Sequence, residues 1–150
     1  MAVDRLTKVV GATRGSFYWH FKDRDELVAA ALARWEREYT TELIPLAEAV
    51  PDARARLRSL FKRVYEPRAE PIEVALAAEA DHPLVAPVFA RVSAARIALL
   101  RSIFLELGLG EQEADARAWL AWAFYLGHHQ LGDAPGKPAD LDRIVDLLGS

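Results

Sequence analysis

An all-α fold is predicted from three observations. Almost every stretch after residue 13 carries apolar side chains at helical spacing, and none alternates apolar and polar as a half-buried strand would. Glycine and proline fall where they cut the chain into helix-length pieces.

The elements follow in order. Residues 4–10 read as a short amphipathic helix with Leu6, Val9 and Val10 inward, Gly11 supplies a tight turn, and Thr13 caps a second helix over 14–20. Asp23 with Glu26 three residues later is a capping-box-like start. Behind it Leu27, Ala31 and Trp35, with Val28, Leu32 and Tyr39, form an apolar stripe that should reach about Leu43 and stop at Pro45. Pro51 and Asp52 open the next helix, with Leu57, Leu60, Phe61, Val64 and Tyr65 on one side and Arg54, Arg56, Arg58, Lys62 and Arg63 mostly outside. Pro67 and Pro71 separate it from a short apolar helix over 72–80, which Asp81-His82-Pro83 breaks. Residues 84–107 make a long helix ended by Gly108, with Pro87 acceptable only in its first turn. The segment 111–131 carries Trp119, Leu120, Trp122, Phe124, Tyr125 and Leu126 around most of its circumference and needs cover on more than one side. A loop over 132–138 leads to a final helix over 139–148, with Leu141, Ile144, Val145 and Leu148 in register.

Composition narrows the class. The 150 residues are 52% apolar, enough for a continuous core, and the chain has no cysteine for a disulfide. It has no apolar run long enough to span a bilayer and no secretion-signal pattern at its start, so the expectation is a cytoplasmic protein that does not enter the membrane. Charge is uneven. Residues 1–24 hold Arg5, Lys8, Arg14, Lys22 and Arg24 against Asp4 and Asp23, although the whole chain is at −3. A basic end on an acidic body suits a protein that touches phosphate at one end only. No His-x-x-x-His spacing, nucleophile–base set or glycine-rich phosphate cradle is present. Adjacent His128 and His129 would point about 100° apart on a helix, poorly placed to chelate one ion, and Asp81-His82 is no better. Neither an enzyme nor a metal or other cofactor is expected.

The segment from Gly15 to Leu27 is the most specific signal. It sets a short aromatic and basic helix against the capped start of a long one, as at the DNA-contacting end of a helix-turn-helix. Its core, Gly15-Ser16-Phe17-Tyr18-Trp19-His20-Phe21, closely resembles the DNA-binding region of the tetracycline-repressor (TetR) family, where Gly-x-Phe/Leu-Tyr-x-His/Tyr-Phe follows the turn. In that family a further helix precedes the segment matching Val3 to Gly11; here only Met1 and Ala2 stand there, so the helix-turn-helix is expected to be incomplete. The resemblance implies a helix-turn-helix region with a connecting helix over 1–44 and a helical effector-binding and dimerisation domain over 45–150.

Candidate contacts follow from chemistry and from the resemblance together. Arg14, early in the recognition helix, can donate two parallel hydrogen bonds to guanine. Thr13 and Ser16 reach phosphate or a base edge, or else serve as caps. The resemblance places Tyr18 and His20 on the phosphate backbone, Phe17 and Phe21 in the head's core, and Trp19 toward solvent or DNA. Lys22 stands just ahead of a helix N-terminus, where ammonium and backbone N–H groups together hold a phosphate.

An unknown small-molecule effector is expected in the helical body. Tyr65, Glu79, His82, Arg96, Phe104, Trp119 and Trp122 are the candidates for an aromatic cavity with polar anchors, ordinary core packing being the alternative for each aromatic. The resemblance also implies a homodimer through 111–131 and 139–148, reading a palindromic operator in successive major grooves, and repression relieved by the effector. Trp35 and Tyr39 are the candidate coupling contacts on the connecting helix. The rival expectation is a dimeric ligand- or partner-binding protein that does not bind DNA.

Overall fold

Asp23 caps the first described helix in the way its sequence requires. In this computed structural model, which describes residues 22–65, 72–131, 136 and 140–150, its carboxylate accepts the Glu26 N–H at 2.9 Å and the Glu26 carboxylate accepts the Lys22 N–H at 2.5 Å. The Asp23 cap, worth about 1 kcal/mol, starts helix α1, Arg24–Glu36, and the Glu26–Lys22 bond supports it from one residue further out than in a capping box. A single π-helical turn, Arg37–Thr41, follows, and then α2, Leu43–Glu48. The rest are α3 (Ala53–Tyr65), α4 (Ile72–Ala78), α5 (Ala86–Glu106), α6 (Glu111–Leu131) and α7 (Leu141–Gly149). The fold is all-α, with no strand among the described residues.

Two apolar cores organise the described residues. In the first, Val28, Ala31, Leu32 and Trp35 of α1 meet Leu76 of α4 and Val85 and Val92 at the start of α5. In the second, the later half of α5 (Leu99, Leu100, Ile103, Phe104) packs on Ala114, Ala118, Ala121 and Trp122 of α6, with Leu57 and Phe61 of α3, Ala47 of α2 and Val145 of α7. The alanine face of α6 lets α5 approach closely along its length. Phe89 touches both cores, and α5 runs through both.

The ends of α5 agree with the sequence: Pro87 sits in the first turn, and Gly108 takes φ +93°, so that Leu109 N–H bonds to Phe104 O and Gly108 N–H to Leu105 O. Arginines close the far end of α7 and tie its first turn to α3. Arg54 Nη2 donates to Gly149 O, Arg117 Nη1 donates to Leu148 O and Ser150 O, and Arg58 and Arg54 pair with Asp142 and Asp146.

Three expectations need correction. Pro45 does not stop a helix; it lies in the first turn of α2, where its missing N–H costs no bond. Tyr39 does not continue the buried stripe of α1. The π turn puts five residues where an α turn has four, so the position one turn after Trp35 passes to Thr40, which is buried, while Tyr39 is partly exposed. Arg56 is not outside. Its Nε and Nη2 donate to Val50 O and its Nη1 donates to Glu106, closing the end of α2 and tying α3 to α5. The loop prolines 67 and 71, and the short helices expected over 4–10 and 14–20, lie outside the described residues.

Candidate functional site

Where the two cores meet, α5 carries Arg96, between Val92 of the first core and Leu99 of the second. An arginine there is surrounded by apolar side chains and must have its charge met. It donates from Nε to Thr40 Oγ1 (3.3 Å) and from Nη2 to Tyr39 O (3.0 Å) and Glu73 Oε1 (3.3 Å). Its guanidinium carbon also stands 5.1 Å from the ring centre of Trp122, 5.7 Å from Trp35 and 5.9 Å from Tyr125. Trp122 and Tyr125 stack at 5.3 Å with their planes 9° apart. Three π faces and one carboxylate thus hold a nearly buried cation, and the side chains that do so come from α1, α4 and α6 as well as from the π turn.

Beside this cluster opens a cavity of about 100 Å³. Its walls are Leu43, Ile44, Leu60, Leu99, Leu100 and Ala121, with Phe61, Trp122 and Tyr125 as aromatic surfaces. Its polar edge is Arg96, Glu73, Thr40 and Tyr39, with Arg63 at the exposed rim. An apolar chamber with a few convergent polar groups is the usual composition of a small-molecule site.

The expected effector residues fall in different places. Arg96 and Trp122 line the cavity. Phe104 is fully buried in the second core, and Trp119 is 61% exposed on the outer face of α6; neither lines the cavity. Glu79 and His82 sit in the turn between α4 and α5, where His82 accepts the Leu84 N–H at Nδ1 and shapes the chain's entry into α5. The Tyr65 side chain lies outside the described set. Sequence reasoning missed Glu73, Thr40 and Tyr125. Glu73 reads as an ordinary acidic residue in a helix's first turn, and only the packing of α4 against α6 turns it toward Arg96.

Of the DNA-contact candidates, Lys22 alone is described; it is exposed, and its backbone N–H belongs to the α1 cap. Thr13, Arg14, Ser16, Tyr18, Trp19 and His20 lie outside the described residues. On α6 and α7, Trp119, Leu120, Leu131 and Leu147 remain exposed in the single chain. None of the described helices is long and apolar enough to cross a membrane, and no group of three or more His, Asp or Glu converges among the described residues.

This arrangement belongs to a class of all-α folds in which a capped helix leads into a body built on two long packed helices. A similar solved structure is that of E. coli NemR in its reduced form: 19% of residues are identical, the alignment covers 97% of this chain and 82% of that one, and the TM-score is 0.72. The likeness is one of fold. No protein-family model matches the chain, and no curated protein matches it.

Proposed function

We propose that the protein is a TetR-like, ligand-responsive transcription regulator, a repressor that binds a palindromic operator as a homodimer in the cytoplasm and leaves it when a small molecule enters the cavity. The observation that carries this reading is Arg96. One side chain borders the cavity and also holds the π turn of the helix that follows the Gly15–Phe21 motif. A ligand that draws Arg96 toward itself loosens its hold on Thr40 and on the Tyr39 carbonyl, and α1 is then free to take another angle. Two reading heads engage successive major grooves only near a spacing of about 34 Å, so a small change of angle at α1 is enough to end binding. The ligand shifts the equilibrium by no more than its preference between the two states.

Dimerisation is assigned to the outer face of α6 with α7, where Trp119, Leu120 and Leu147 present apolar surface that a twofold partner would cover.

The test is binding of the purified chain to labelled DNA from upstream of its own gene, at low and physiological salt, beside Arg14→Ala. Specific binding that weakens in the variant supports the regulator. A folded dimer that ignores this DNA at both salts rejects it and favours a dimeric ligand- or partner-binding protein.

A further inference from the structure

We propose that the cavity is built for a small organic monoanion, a single carboxylate on an apolar body of about one ring; the inference deepens the regulator reading by naming its ligand class. Charge decides the sign. Among the described residues two guanidiniums, Arg96 and Arg63, border the cavity against one carboxylate, Glu73, an excess of one positive charge. Arg96 commits Nε and Nη2 to Thr40, Tyr39 and Glu73, while its Nη1 has no acceptor among the described residues. A carboxylate arriving there meets a charged donor with little water around it, and charge-assisted hydrogen bonds are about twice as strong as neutral ones.

The same residues exclude other ligands. A second negative charge on the ligand would stand beside Glu73, which is almost fully buried. A cation would find the faces of Trp35, Trp122 and Tyr125 already engaged by Arg96, and Arg63 at the mouth would repel it. A neutral amide leaves the charge excess unmet. Size follows from volume: a cavity of about 150 Å³ admits benzene. At about 100 Å³, with walls of Leu43, Ile44, Leu60, Leu99, Leu100 and Ala121, this one accepts a single-ring or short-chain body after slight opening.

The experiment is calorimetric titration of the full chain with benzoate, hexanoate, benzamide, benzylamine and phthalate. Benzoate or hexanoate should bind saturably, and benzamide, benzylamine and phthalate about tenfold more weakly or not at all, the factor expected for one hydrogen bond to a charged group. Arg96→Gln, checked for helix content and cooperative melting, should erase the preference for benzoate over benzamide, and Glu73→Gln should strengthen benzoate several-fold. Equal binding of benzoate and benzamide by the wild-type chain overturns the proposal, as does failure of both carboxylates to bind, without recourse to any variant. A charge preference that survives in a folded Arg96→Gln variant also overturns it. DNA binding is scored separately: a chain that binds operator but no carboxylate loses this ligand class and keeps the regulator reading, while one that binds benzoate but no DNA supports the ligand class and rejects the regulator.

Discussion

Arg56 and Trp35 show how individual residues carry unequal weight in this chain. Arg56 makes two hydrogen bonds to one backbone carbonyl, that of Val50, and a 2.8 Å ion pair with Glu106. Truncation to alanine leaves that carbonyl without its donor, so urea unfolding of Arg56→Ala should show a loss of about 2 kcal/mol. Removing an exposed arginine such as Arg34, paired along one helix with Glu38, should cost well under about 1 kcal/mol in the same assay. Trp35 is fully buried, yet its indole N–H meets no acceptor among the described residues. Trp35→Phe removes an unpaired donor as well as some volume, and the two effects oppose each other, so its change should stay within about 1 kcal/mol, against about 3–5 kcal/mol for Trp35→Ala. The sequence made the caps readable at this scale because Asp23 and Glu26 find their partners within four residues. Arg56 was not readable as a buried cation, nor Arg96 as a nearly buried one, since their acceptors on Val50, Glu106, Thr40 and Glu73 come together only after the helices pack.

Among the elements, the π turn and the short α2 after it are the ones that local signals did not announce. Apolar spacing through Trp35 points to Tyr39 as the next inward residue, and the chain instead inserts one position so that Thr40 faces α5. Such turns are tolerated where tertiary bonds hold them. Arg96 does so here through Thr40 Oγ1 and Tyr39 O. In a double-mutant cycle, Thr40→Val and Arg96→Gln should show a coupling of about 0.5–1.5 kcal/mol in thermal or urea unfolding, and strict additivity would mean that the side chains do not cooperate. Gly108 is the opposite case, legible from sequence because its role is local. A Cβ there would meet no neighbour within 4 Å, so the cost of Gly108→Ala comes from φ +93° alone. About 1 kcal/mol of destabilisation is expected by urea titration, and less for Gly108→Asn.

For the molecule as a whole, helix order and most boundaries across the described residues were legible because proline, glycine and capping residues punctuate them, Pro45 being the exception, whereas the cavity was only partly so. Its polar edge is assembled from α4, α5 and the π turn, which no periodicity connects. The proposed dimer makes its own prediction at this scale. Trp119→Glu combined with Leu120→Arg should convert the sedimenting species from dimer to monomer while leaving helix content unchanged, because both side chains are exposed in the single chain. An unchanged dimer would move the interface elsewhere.

Helix α5 supplies Val92 to one core and Leu99, Leu100, Ile103 and Phe104 to the other, with Phe89 shared between them. A single rod embedded in both cores ties their melting together, because neither can open without exposing part of the helix on which the other is built. Heat should therefore take the described body apart in one cooperative step. The signal of a lone tryptophan retained at position 35, with Trp19, Trp119 and Trp122 replaced by phenylalanine, should vanish at the same temperature as the helical signal of that same variant.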